Sequence, residues 1–116
     1  MRTKLLAVLL VFGLAGMAVA IPVALAKTKS VEVDDDYFVS KKSHTITIKR
    51  GTKVNWHWEG RNLHDVTVKK APRGVKRFHS ATKRKGVYAH TFTTRGTYTI
   101  ICTVHAPDMR MTVRVK

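Results

Sequence analysis

The sequence predicts an all-β domain built as a two-sheet antiparallel sandwich of about seven short strands. From residue 31 onward, short runs rich in valine, isoleucine, threonine and aromatic residues are separated by glycine and proline. Several of these runs alternate apolar and polar residues, as strands do when one face packs on a core. No long stretch has the periodicity of a helix. A chain of 116 residues allows one such domain.

Each predicted strand corresponds to one run, in the order 31–39, 44–49, 53–58, 63–70, 87–93, 97–103 and 109–115. In the third run Val54, Trp56 and Trp58 share one face, and the sixth and seventh runs alternate in the same way. Tight turns are predicted at residues 50–52 and 94–97, where a glycine lies beside polar residues. Between residues 70 and 86 the pattern lapses, which indicates a long loop with a short strand or turn near Phe78.

The N-terminus has the composition of a secretory signal peptide. Arg2 and Lys4 precede 22 uncharged, mostly apolar residues that end in Ala26, before Lys27. We predict cleavage after Ala26, which leaves residues 27–116 as an exported domain in the periplasm or another extracytoplasmic part of the cell envelope. An uncleaved membrane anchor is the alternative, because 22 apolar residues are long enough to cross a bilayer as a helix.

Export gives the one cysteine a particular meaning. Exported domains usually pair their cysteines or have none, and Cys102 has no partner within the chain. Four interpretations are open for it: an intermolecular disulfide, a buried inert thiol, a nucleophile or a metal ligand.

The neighbours of Cys102 favour the metal ligand. His105 and Met109 follow it within eight residues, and a thiolate, an imidazole and a thioether are ligands that favour copper over calcium, magnesium or manganese. A second histidine can be sought by strand parity. His64 shares its face with Val66 and so points inward at the start of its predicted strand, where it can meet the other ligands at one end of the sandwich.

The chain resembles the plastocyanin-like members of the cupredoxin, or type 1 blue copper, family over residues 31–116. The resemblance rests on several short segments with their spacing: GTKVNW at 51–56, NLHDV at 62–66, FHS at 78–80, FTTRGTY at 92–98, CTVHAPDM at 102–109 and MTVRV at 111–115. It implies a Greek-key order of the strands and a binding site for one copper ion. A CxxH motif alone is weak, but the whole set is specific.

The resemblance implies His64, Cys102 and His105 as equatorial copper ligands and Met109 as the axial one. Met111 has the same strand parity as Met109 and is the alternative axial ligand, but it falls where the last strand should already pack in the core. Asp65 stands where plastocyanins commonly have an asparagine that braces the ligand loops. A carboxylate accepts hydrogen bonds but donates none unless it is protonated.

This ligand set predicts a one-electron carrier that is not an enzyme. Two imidazoles, a thiolate and a thioether leave no open position for substrate, and the sequence has no second copper cluster or catalytic triad. In the resembling proteins the second histidine passes the electron through an apolar surface patch, which here implies His105 beside Ala106. The alternative function is copper buffering or delivery without redox turnover.

The charge of the chain points to an anionic partner. Without residues 1–26, which contain Arg2 and Lys4, 22 − 2 = 20 basic and 7 acidic residues give a net charge of +13. Eight of the 17 residues at positions 69–85 are lysine or arginine, whereas four carboxylates lie at positions 32–36. We expect a monomer that binds acidic redox proteins, or an anionic membrane or cell-wall surface. Nucleic acid is not expected, because of export and because no aromatic residues interleave regularly with the basic ones.

Overall fold

A computed structural model describes residues 27–116, so the predicted signal peptide or anchor at residues 1–26 lies outside the described residues. Seven strands and one short 3-10 helix form the described part of the chain. They are β1 (Thr28–Val33), β2 (Thr45–Ile48), β3 (Lys53–Trp58), β4 (Thr67–Lys70), β5 (Val87–Thr91), β6 (Gly96–Ile101), the 3-10 helix (Thr103–His105) and β7 (Arg110–Val115). Within residues 27–116 no helix has the length and apolar character needed to span a membrane.

The strands form two sheets, and this confirms the predicted seven-stranded sandwich. One sheet has the order β1-β3-β5 and the other has the order β2-β7-β6-β4. Both sheets are mixed rather than wholly antiparallel, because β1 runs parallel to β3 and β2 runs parallel to β7. Alternation in the sequence reports which face of a strand is buried and not the direction of its neighbour, so the sequence pattern did not reveal these parallel pairs.

The core lies between the sheets and contains the residues that strand parity predicted. Trp56 is fully buried, with its ring centroid 5.9 Å from that of Tyr88 and 6.2 Å from that of Phe92. The inward residues of β6 and β7 are buried as well. The predicted turn at residues 50–52 is also present, and Gly51 has a φ of 94°, which favours glycine.

The first strand is shorter than predicted and ends in a tight turn. The strand was predicted at 31–39, but β1 begins at Thr28 and ends at Val33. It begins earlier because Thr28 pairs with Lys53, the first residue of β3. The backbone amide of Asp34 then donates to the carbonyl of Tyr37 (2.9 Å), and Phe38 pairs back with Val33. This turn projects residues 35 and 36 toward one end of the sandwich.

The fourth strand also starts later than predicted, at Thr67 rather than at residue 63. The residues before it pair with the long loop instead of with β6. His64 forms an isolated antiparallel bridge with Lys83, and the amide of Ser80 donates to the carbonyl of Val66 (2.8 Å). The loop predicted between residues 70 and 86 therefore covers the segment that carries His64.

Candidate metal centre

Three side chains from distant parts of the sequence meet at one end of the sandwich. The Sγ atom of Cys102 lies 3.7 Å from Nδ1 of His64 and 3.7 Å from Nδ1 of His105. All three donor atoms lie within 4.8 Å of one another. His64 and Cys102 are fully buried, whereas His105 is partly exposed. The structure thus brings together the three residues that the sequence proposed as equatorial ligands.

Hydrogen bonds to its amide and its carbonyl hold the backbone of His64 in place. Its amide donates to the carbonyl of Lys83, and the amide of Lys83 donates to the carbonyl of His64, both at 3.0 Å. The indole Nε1 of Trp58 donates to the same His64 carbonyl (3.2 Å). Lys83 is one of the basic residues at positions 69–85, but its Nζ donates to the carbonyl of Val87 (2.8 Å) and lies 4.7 Å from the centre of the Trp58 ring. Lys83 is therefore a structural residue of this site.

The segment from Cys102 to Met109 forms a closed loop after β6. The amide of Cys102 donates to the carbonyl of Met109 (3.0 Å), and the amide of Met109 donates to the carbonyl of His105 (3.2 Å). The backbone of Met109 therefore returns to the start of the loop, and its side chain is buried. The Sδ atom of Met111, in contrast, accepts a hydrogen bond from Nε1 of Trp56 (3.4 Å) in the core.

Asp65 connects the two segments that carry the candidate ligands. Its Oδ1 accepts hydrogen bonds from the amide (2.7 Å) and the hydroxyl (2.9 Å) of Thr103, and its Oδ2 accepts one from the hydroxyl of Thr67 (2.5 Å). Burial raises the pKa of this carboxyl group, but the hydrogen bonds from both threonines outweigh burial, and the net pKa is lowered. A carboxylate serves here as a brace because the two hydroxyls and the amide that bond to it are all donors.

A second carboxylate, that of Asp35, contacts the opposite nitrogen of the His64 ring. Oδ1 of Asp35 lies 3.1 Å from Nε2 of His64 and accepts hydrogen bonds from the amides of Arg61 and Asn62, both at 2.9 Å. The hydrogen bonds from the Asn62 amide and the His64 ring lower the pKa of Asp35. The sequence showed Asp35 only as part of an acidic run, and no local pattern connects it to a residue 29 positions later.

The spacing of the donor atoms fits a bound metal ion. Metal–sulfur and metal–nitrogen bonds of about 2.3 and about 2.0 Å, the lengths seen at zinc, would separate the two donors by about 3.7 Å in a trigonal plane. The observed separations have this value. Two imidazoles and a thiolate in a trigonal site, with a weak axial thioether, are typical of type 1 copper. The cluster of His64, Cys102, His105 and Met109 fits that type of site.

Two surfaces of opposite charge meet at Ala106, the residue after His105. One is a cleft lined by His105, Ala106 and Met109 together with three carboxylates, those of Asp35, Asp36 and Asp108. The other is a groove that combines three basic residues with apolar ones, and it is lined by Lys69, Lys70, Thr99, Ile101, Ala106, Pro107 and Arg110. The metal centre is thus closed on the protein side and bordered by charge on the solvent side.

Solved structures of copper proteins share this fold. A tryptophan-to-tyrosine mutant of amicyanin in its reduced state is 26% identical, with a TM-score of 0.61 and coverage of 77% of this chain and 82% of amicyanin. Pseudoazurin from Methylobacterium extorquens AM1 shares the fold at 18% identity, with a TM-score of 0.65 and coverage of 77% and 75%. A copper-containing nitrite reductase from Thermus scotoductus SA-01 also shares the fold (24%, TM-score 0.63), but the match covers only 22% of that chain.

A search of curated protein sequences found no match. The sequence profile described as "Copper binding proteins, plastocyanin/azurin family" matches residues 27–116, which is the whole described part of the chain. Copper is the metal that this family and this donor set share. The chain therefore belongs to the plastocyanin/azurin family of copper-binding proteins, the cupredoxins.

Proposed function

We propose that this protein is an exported type 1 copper protein that carries single electrons between redox partners and is not itself an enzyme. The observation that carries the proposal is the placement of the Cys102 sulfur at the same 3.7 Å from both histidine nitrogens in a buried site. We propose His64, Cys102 and His105 as equatorial ligands and Met109 as the axial ligand. The apolar N-terminal segment before Lys27 supports export.

The residues around the site support electron transfer because they hold the donors in place. Copper supplies the one-electron couple when it is bound. Copper(I) accepts soft sulfur ligands and low coordination numbers, whereas copper(II) prefers nitrogen ligands and tetragonal geometry, so a rigid site between these preferences needs little rearrangement. Here both the amide and the carbonyl of His64 are hydrogen-bonded to the backbone of Lys83. Asp65 connects the segment of His64 to the segment of Cys102 through the amide of Thr103. Burial of Cys102 and His64 also excludes water from the inner side of the site.

His105 is the proposed path of the electron to and from the surface. It is the equatorial candidate that reaches solvent, and Ala106 and Pro107 beside it are exposed. Leu63 and Val104, each next to a ligand in the sequence, are 39% and 48% exposed. Exposed apolar side chains around a partly exposed ligand are suited to transient docking of a redox partner.

The basic groove beside Ala106 supports an acidic redox protein as the partner. Lys69, Lys70 and Arg110 line this groove, so carboxylates of a partner can pair with them while the partner's apolar surface covers Ala106. An anionic lipid or cell-wall polymer could pair with the same basic residues, but it would have no reason to contact His105. The position of the groove next to His105 therefore favours a redox protein.

Reconstitution with copper(II) tests the proposed function. We expect residues 27–116 to bind one copper ion with an intense thiolate-to-copper charge-transfer band and to give fast, reversible one-electron voltammetry. Cys102→Ala should lose the band, because the thiolate is the donor in that transition. Tight copper(I) binding with no such band, or without a reversible couple, would instead indicate copper buffering or delivery.

The axial ligand can be tested by changing each methionine to leucine. Met109→Leu should change the visible spectrum and raise the reduction potential, because loss of the axial donor lowers the coordination number, which copper(I) tolerates better than copper(II) does. Met111→Leu is the matched control and should leave the spectrum unchanged while lowering stability by about 1–3 kcal/mol, because the buried indole N–H of Trp56 loses its acceptor. A spectral change confined to Met111→Leu would reverse the assignment.

The docking surface can be tested with an anionic reductant such as hexacyanoferrate(II). The double variant Lys69→Glu/Lys70→Glu should slow reduction several-fold at low salt, and the difference should vanish near 1 M salt, where the screening length is about 3 Å. The control Lys27→Glu/Lys29→Glu makes the same charge change at the far end of β1. Equal slowing by both double variants would show that net charge, and no local surface, steers the approach.

A further inference from the structure

The contact between Asp35 and His64 is distinct from the contacts that bind the metal. Nδ1 of His64 faces the Cys102 sulfur at 3.7 Å, and Nε2 faces Oδ1 of Asp35 at 3.1 Å. The ring is fully buried, and the side chain of Asp35 is 31% exposed, so the carboxylate reaches the ring from the surface. The two nitrogens of one imidazole thus connect the metal position to a charged group outside it.

The surroundings of Asp35 fix the role of each atom in this contact. Oδ1 already accepts hydrogen bonds from the Arg61 and Asn62 amides, so the oxygen acts as an acceptor toward all three of its neighbours. Nε2 of His64 must then carry the ring proton and donate it. This assignment leaves the lone pair of His64 on Nδ1, the nitrogen that faces Cys102.

The fold is built to allow this approach. The turn after β1 brings Asp35 against residues 60–62, and Gly60 leaves the space that the carboxylate occupies. A Cβ atom at Gly60 would lie 2.6 Å from Cγ of Asp35 and closer still to its Oδ1. The φ of Gly60 lies outside the left-handed range, so its own backbone conformation would accept a side chain. The close contact with Asp35 is what excludes one there.

We propose that Asp35 is a positioning residue that fixes the His64 ring for Nδ1 ligation and lowers the reduction potential of the copper. This inference rests on the proposed function, in which His64 is a copper ligand. A carboxylate that accepts the distal N–H of a ligating histidine fixes its tautomer and raises its basicity. A more basic, negatively paired ligand stabilises the higher charge of copper(II) over that of copper(I), so the potential falls.

The neighbouring carboxylate provides a matched control. Asp36 is exposed and lines the same cleft beside His105, but the single Nε2 proton of His64 is donated to Asp35. Asp35→Asn and Asp36→Asn remove the same charge from the same cleft, and an asparagine oxygen can still accept the amides of residues 61 and 62. The pair separates a direct effect on the ligand from a general effect of surface charge.

The test is voltammetry of the copper-loaded parent protein and both variants. Asp35→Asn should keep the charge-transfer band. It should lower the preference of the site for copper(II) over copper(I) about tenfold, which raises the reduction potential by about 59 mV for a one-electron couple. Asp36→Asn should move the potential by less than half as much. Equal shifts in the two variants would overturn the proposal.

If Asp35→Asn does not fold, Gly60→Ala decides, because it displaces the carboxylate without removing its charge. A raised potential supports the proposal, and an unchanged potential overturns it. Nitrogen-15 NMR of the copper-free parent protein adds a measurement that needs no metal, and it should find the His64 ring protonated at Nε2. Protonation at Nδ1 would overturn the proposal. A parent protein without a reversible couple would contradict the proposed function instead, and the NMR result would still test the contact.

Discussion

The antiparallel register between β4 and β6 places Val68 opposite Ile100 at the edge of the four-stranded sheet. Past the end of both strands the same alignment places Asp65 opposite Thr103, whose amide donates to the carboxylate. The preceding residue, His64, has its Nδ1 atom 3.7 Å from the sulfur of Cys102, which follows β6. A slip of one residue would turn every side chain of β4 to the other face. The buried side chains of Val68 and Ile100 fix this register. The position of the candidate copper ligands therefore depends on the pairing of β4 with β6.

Two carboxylates, those of Asp65 and Asp35, bond to the candidate metal site of a strongly basic protein. They act through direct hydrogen bonds, whereas the lysines act over longer distances. Asp65 and Asp35 each accept three hydrogen bonds from groups at the ligand segments, so their partial burial is compensated by charge-assisted hydrogen bonds. The basic residues act through a field that extends about 10 Å at 0.1 M salt. In the proposed function, local negative charge therefore holds the candidate ligands, while the positive field would act on an approaching partner.

The sequence allowed the sandwich, the core faces and the three clustered donors to be predicted, because strand parity and ligand chemistry are local properties. Parity placed His64 and Cys102 inward, and the structure finds both fully buried. Parallel pairing of β1 with β3 could not be predicted, since alternation is the same in either direction. Contacts between distant segments were missed for a similar reason: Asp35 reaches His64 through a turn, and Lys83 reaches it through a loop bridge.

X-ray absorption at the copper edge, recorded in both oxidation states, tests the central claim most directly. A site held by backbone bonds around His64 and by the closed loop from Cys102 to Met109 should show two nitrogen ligands and one short sulfur ligand in both states. Copper(II) and copper(I) should have the same ligands at nearly the same distances. Loss of a histidine on reduction, or an added oxygen ligand in the oxidised state, would contradict this claim.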